Sequence, residues 1–115
     1  MILSEHDEQT LLIKWFVMQY KNKFVFFAIP NGGARNLYVA KKMKAEGTRA
    51  GVPDLFLAVP RHGFAGLFIE MKRVKSGYVS QTQKEMISRL ENAGYKCIVC
   101  KGFDQAKAEI EEYLK

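Results

Sequence analysis

The stretch that decides the fold is GVPDLFLAVPRHGFAGLFIEMK, Gly51 to Lys72. Two apolar runs inside it, DLFLAV (54–59) and GLFIEMK (66–72), read as strands. The link PRHGFA between them is short enough for an antiparallel hairpin. Yet the pair carries Asp54, Glu70 and Lys72, and ionised groups are costly in a core unless they are paired or bind a metal. Side chains alternate along a strand, so Leu67, Ile69 and Met71 share one face while Phe68, Glu70 and Lys72 share the other. Asp54 enters its strand just after Pro53, whose ring fixes the backbone. If the two strands are neighbours, Asp54 approaches Glu70.

Two carboxylates that close repel unless a cation lies between them. Hard oxygen ligands select Mg²⁺ or Mn²⁺ rather than zinc. A lysine two residues from such a glutamate can steer a water or offset developing negative charge, which suits metal-assisted hydrolysis of a phosphodiester. The competing reading is a Glu–Lys pair at the surface, worth little.

Working outward, Ser4 can N-cap a helix that runs roughly over 5–21, with Leu11, Leu12, Trp15 and Phe16 at helical spacing. Glu8 precedes Leu11, Leu12 and Trp15 by three, four and seven residues, so it sits in the middle of their apolar stripe. Glu5 lies at the edge of that stripe, while His6 and Asp7 point away. A carboxylate on a buried face is the informative kind of exception. Glu8 is either a first-turn residue favoured by the helix dipole or a group reaching towards the same cation as Asp54 and Glu70.

KFVFFAI (23–29) reads as a strand stopped by Pro30 and an NGG turn, and ARNLYVAKKMKAEG (34–47) as a helix ending at Gly47. In VSQTQKEMISRLENAG, Ser80 and Gln83 form a capping box, Met86, Ile87, Leu90 and Ala93 make an apolar stripe, and Gly94 ends the helix. YKCIVCK is a further strand, and FDQAKAEIEEYLK a closing helix capped by Asp104 or its neighbour. Strands this apolar on both faces need cover on both sides. The expected class is α/β, a mixed four-stranded sheet flanked by helices in the order α-β-(α)-β-β-α-β-α.

At 115 residues the chain reads as one domain with a real core, and 48% hydrophobic with 26% charged residues is ordinary for a globular protein. No stretch approaches the roughly 20 apolar residues of a membrane span. MILSEHDEQ lacks the basic-then-apolar pattern of a signal peptide, which predicts a cytoplasmic location and no membrane partner. Eighteen Lys and Arg against twelve Asp and Glu give a formal charge of +6, which favours a polyanionic partner, nucleic acid above all. Cys97 and Cys100 are three apart in a strand and point to opposite faces, so they read as reduced structural residues. His6 and His62 have no patterned Ser or Cys nucleophile to serve, and covalent catalysis has no support.

With GVPDLF, GLFIEMK, SQTQKEMISRLENAGY and the acidic first helix in that order, and AEGTRAGVPD upstream, the chain resembles the VRR-Nuc family of the PD-(D/E)xK, restriction-endonuclease-like nucleases. The resemblance covers nearly the whole chain, 1–115. It implies that Asp54, Glu70 and the backbone carbonyl of Met71 ligate Mg²⁺ or Mn²⁺, and that Lys72 is the catalytic lysine. Glu8 would approach the ion through water, although Glu5 is the other candidate for that first-helix glutamate. Gln83 would position Lys72 or a phosphate, and the capping-box role competes with that, since one side chain does not easily do both. The implied activity is a structure-selective DNA endonuclease acting on branched DNA such as Holliday junctions. A flap, gapped or RNA substrate, or a non-catalytic nucleic-acid-binding module on the same fold, is the alternative.

The resemblance also implies a homodimer, because symmetric cleavage of two strands needs two active sites. A compact nuclease of this kind suits a phage, acting in the host cytoplasm. Arg35, Lys41, Lys42, Lys44, Arg49, Arg73 and Lys75 are candidates for phosphate contacts, each equally readable as a solvated charge. Such contacts position the backbone without reading bases and predict a steep loss of affinity with salt.

Overall fold

The structure is a computed structural model that describes residues 2–30 and 36–115. Its elements are α1 (Glu5–Tyr20), β1 (Phe26–Ala28), α2 (Leu37–Ala45), β2 (Leu55–Leu57), β3 (Leu67–Lys72), α3 (Gln81–Asn92), β4 (Lys96–Lys101) and α4 (Phe103–Tyr113). The four strands form one sheet in the order β1-β2-β3-β4. β1 and β2, and β2 and β3, pair antiparallel, whereas β3 and β4 run parallel. A parallel pair needs a crossover, and α3 supplies it.

Strand alternation puts Leu67, Ile69 and Met71 on the inner face, where each is fully buried with Leu55, Leu57 and Cys100. Leu12 and Phe16 of α1 and Ala106, Ile110 and Tyr113 of α4 close this core from one side. Tyr113 adds a polar tie, its hydroxyl donating to the Val59 carbonyl at 2.6 Å. On the opposite face, Phe56 stacks on Phe68 with ring centroids 4.4 Å apart, and Tyr95 packs against both.

The second face is less covered than strands so apolar led us to expect. No residue of α3 is buried, and Met86, Ile87 and Leu90 are only half-covered. At the β1 end Phe27 stays 46% exposed. α2 buries no residue, leaving Leu37 and Tyr38 in solvent, and among the described residues it packs against none of the other elements. α2 is capped by Asn36, whose side chain accepts from Val39 N–H at 2.8 Å. The NGG turn and the start of the expected helix at 34 lie outside the described residues.

Observed strands are shorter than the apolar runs, because pairing stops before hydrophobicity does. Among the described residues no helix is long and apolar enough to cross a membrane. Both cysteines are free, with Cys100 in the core and Cys97 beneath α3. Burial, with a smaller contribution from a nearby glutamate, pushes each thiol up to about 12, so neither is a reactive thiolate.

Candidate active site

The site grows from the hairpin register. Leu55 pairs with Ile69, so the next antiparallel position sets Asp54 opposite Glu70. Regular pairing ends there, and the Asp54 carboxylate takes over, its Oδ2 accepting the Met71 N–H at 2.7 Å. The Asp54 carbonyl accepts from Ile29 N–H at 2.7 Å. Main chain and side chain together therefore pin this aspartate between β1 and β3.

Glu70 and Lys72 lie on the face that α3 closes. Glu70 is 2% exposed and Lys72 9% exposed, so the sequence-level alternative of a surface ion pair is excluded. Lys72 Nζ stands 3.3 Å from Glu70 Oε2. Burial, then the adjacent Asp54 carboxylate, raise the Glu70 acid to about 8, with Lys72 opposing the shift. Its other oxygen, Oε1, is buried without a hydrogen-bond partner. A buried acceptor left unsatisfied costs about 1–3 kcal/mol, more when charged.

Gln83 joins these groups. Its Oε1 accepts from Lys72 Nζ at 3.0 Å and from Ser80 N–H at 2.9 Å, while its Nε2 donates to Glu70 Oε2 at 3.1 Å. Ser80 Oγ in turn accepts from Gln83 N–H at 3.2 Å, completing the capping box. The expectation that one side chain does not easily do both is corrected. A carbonyl oxygen has two lone pairs and the amide nitrogen two protons, so capping and positioning use different valences of one amide.

Glu8 is buried at 7% exposure, as the stripe predicts. Its Oε1 accepts the Phe103 N–H at 3.2 Å, at the N-terminus of α4. Gly102, the N-cap residue, offers no side chain, and a Cβ there would fall 2.7 Å from Glu8 Oε2. The cap of α4 thus comes from α1 and not from Asp104 or its neighbour, which corrects the sequence reading. Nothing local announces it, since donor and acceptor are 95 residues apart. The same turn reaches the site, because Gly102 N–H donates to the Lys72 carbonyl at 3.1 Å.

A cavity of about 320 Å³ opens on Lys72 and Gln83 and is bordered by Glu5, Arg73 and Tyr78. The remaining basic candidates divide. Arg73 lines this cavity and Lys75 is exposed on the loop beside it. Lys44 and Arg49 line a separate cleft of about 540 Å³ against α2, and Lys41 and Lys42 are exposed on that helix. Arg35 lies outside the described residues. His62 is held away from any such role, its Nε2 within 3.0 Å of the Tyr113 carbonyl, and His6 is exposed.

Among the described residues no group of three His, Cys, Asp or Glu side chains is gathered to hold a metal. The donor set nevertheless fits a hard divalent ion. Two facing carboxylates, one with an unsatisfied buried oxygen, are what such an ion relieves, with backbone oxygen and water completing its coordination.

This architecture has relatives. The family profile of the VRR-NUC domain matches residues 4–104. A solved structure described as a VRR_NUC domain protein is similar, at 31% sequence identity and a TM-score of 0.81, over 97% of this chain and 88% of that one. No curated protein matches the chain. Profile and structural likeness agree, and the chain belongs to the VRR-NUC domain family, a nuclease-type domain.

Proposed function

We propose that the chain is a divalent-metal-dependent, structure-selective DNA endonuclease that hydrolyses phosphodiester bonds in branched DNA such as Holliday junctions. The observation that carries this reading is the buried Glu70 facing Asp54, in contact with Lys72 and bridged to it by Gln83. Such an arrangement is costly for a fold, and an incoming cation would offset that cost.

Asp54, Glu70 and the Met71 carbonyl would hold Mg²⁺ or Mn²⁺, and Glu8 Oε2 would reach the ion only through water. The bound ion supplies Lewis acidity and lowers the pKa of a coordinated water. The chain's own residues do the rest. Gln83 holds the Lys72 ammonium in one orientation, so the ammonium is ready to align the attacking water and to offset charge gathering on the phosphate. Burial strengthens that interaction by keeping bulk water from screening it. Arg73 and Lys75 beside the site, with Lys41, Lys42, Lys44 and Arg49 near α2, would bind flanking phosphates without reading sequence. Two copies related by a two-fold axis would cut both strands of a junction symmetrically.

The test is a cleavage panel of four-way, three-way, flap and linear DNAs with Mg²⁺ or Mn²⁺, alongside a size measurement in solution. Wild type cuts branched DNA as a dimer; Asp54→Ala and Lys72→Ala abolish cutting, and Lys72→Ala still binds DNA. Full activity of Asp54→Ala with Mg²⁺ present overturns the assignment.

A further inference from the structure

We propose that the cavity beside Lys72 receives one unpaired base of the DNA, stacked on Tyr78, and that this pocket is what reads a distorted or branched structure. The inference rests on the nuclease reading for its meaning but not for its test.

The cavity is built by the turn after β3. Ser76 takes a left-handed φ of +68°, and a Cβ on Gly77 would come within 2.9 Å of the Arg73 carbonyl and 3.0 Å of Lys72 Cβ. The turn is thus folded tightly back onto the strand that carries the catalytic lysine. Val74 braces its other side, since a Cβ on Gly102 would lie 2.6 Å from Val74 Cγ2. This places Tyr78 on the wall of a cavity of about 320 Å³ whose other lining residues include Lys72 and Gln83. Tyr78 is 79% exposed, and among the described residues no other aromatic ring packs on it. An exposed ring next to catalytic groups costs apolar exposure and offers a face on which any base can stack.

Charge decides between a base and a phosphate as the occupant. Lys72 is held by Glu70 and Gln83 and, on the nuclease reading, is committed to the reacting phosphate, so it is not the anchor of a second phosphate in the cavity. Glu5, on the same lining, is an exposed carboxylate that repels phosphate but accepts from the exocyclic amine of a base. Arg73 remains to hold the phosphate of that nucleotide. A base inside a duplex is sandwiched between its neighbours and cannot enter a concave pocket; an unpaired base enters at little cost. Selectivity for structure then follows from one stacking site adjacent to the reacting phosphate.

The experiment measures binding by fluorescence anisotropy in EDTA, where no cleavage is needed. Three duplexes are compared: fully paired, with one unpaired nucleotide, and with an unpaired abasic residue at the same position. Wild type should bind the base-bearing bulge on the order of 10-fold more tightly than the abasic one. Tyr78→Ala should erase that preference with an unchanged melting temperature, while Tyr78→Phe and Tyr78→Trp keep it. Equal affinity of wild type for the base-bearing and abasic bulges overturns the proposal, as does a preference that survives Tyr78→Ala. Failure of the nuclease reading shows separately, as absence of cutting by a protein that still has this preference.

Discussion

Replacing Glu70 by Gln removes one titrating group from a place that water does not reach, and the structure predicts that this raises the stability of the metal-free protein. The folded-state acid is raised to about 8 from an ordinary 4.5. A carboxyl whose folded pKa is raised contributes stability that is fully present below the unfolded value and is lost as pH climbs through the folded one. Between those limits the folded protein holds a proton that the unfolded chain has released, so stability falls by at most about 1.4 kcal/mol per pH unit. Over the whole window from 4.5 to about 8 the loss is on the order of 5 kcal/mol, of which about 3 falls between pH 5 and pH 8. A Gln at position 70 keeps an acceptor for Gln83 Nε2, and Lys72 still donates to Gln83 Oε1. It has no proton to lose, so its stability curve lacks this slope.

Urea unfolding in EDTA from pH 5 to 8.5 reads the effect. Wild type and Glu70→Gln should nearly coincide at pH 5 and separate by about 3 kcal/mol at pH 8, roughly 10 °C in melting temperature, with the variant more stable. Adding Mg²⁺ or Mn²⁺ at pH 8 should close most of that gap. A ligand at 100 times its Kd adds about 2.7 kcal/mol to wild type, and the variant gains little. The reasoning fails if the two proteins keep a constant difference across the pH range, or if the ion stabilises both alike.

Gln83→Met preserves length but deletes three hydrogen bonds, two of them to the ionisable pair Lys72 and Glu70. A cost of about 2 kcal/mol is expected by chemical unfolding, with a fall in kcat and little change in DNA affinity, because Lys72 loses its anchor but keeps its charge. Glu8→Ala strips the cap from α4 and should cost about 1 kcal/mol. Glu8→Gln retains an acceptor for Phe103 N–H, so its melting temperature should stay near wild type while cutting falls. Full cutting by Glu8→Gln would leave Glu8 as a cap alone.

Much of the site was legible because the chemistry follows local periodicities. Alternation along LFIEMK put Glu70 and Lys72 on one face, and the short PRHGFA link set the hairpin that carries Asp54 alongside. The stripe of α1 marked Glu8 as buried, and the family motifs named the rest. These inferences need only a strand period of two, a helix period of 3.6 and a turn length. What escaped them depends on contacts between residues distant in the chain.

Whether Glu70 and Lys72 were an exposed pair or a buried one was decided by where α3 docks, and that docking also lets Gln83 cap its helix and bridge both charges. The choice of Glu8 over Asp104 as the cap of α4 was likewise tertiary. A glycine N-cap leaves amides open, and the packing of α1 on α4 delivers the acceptor. The amino-acid order by itself determined which groups share a face, since that is a property of backbone geometry. Only the folded chain decided which of them lost their water, and desolvation is what separates an ordinary surface ion pair from a buried, charge-strained cluster.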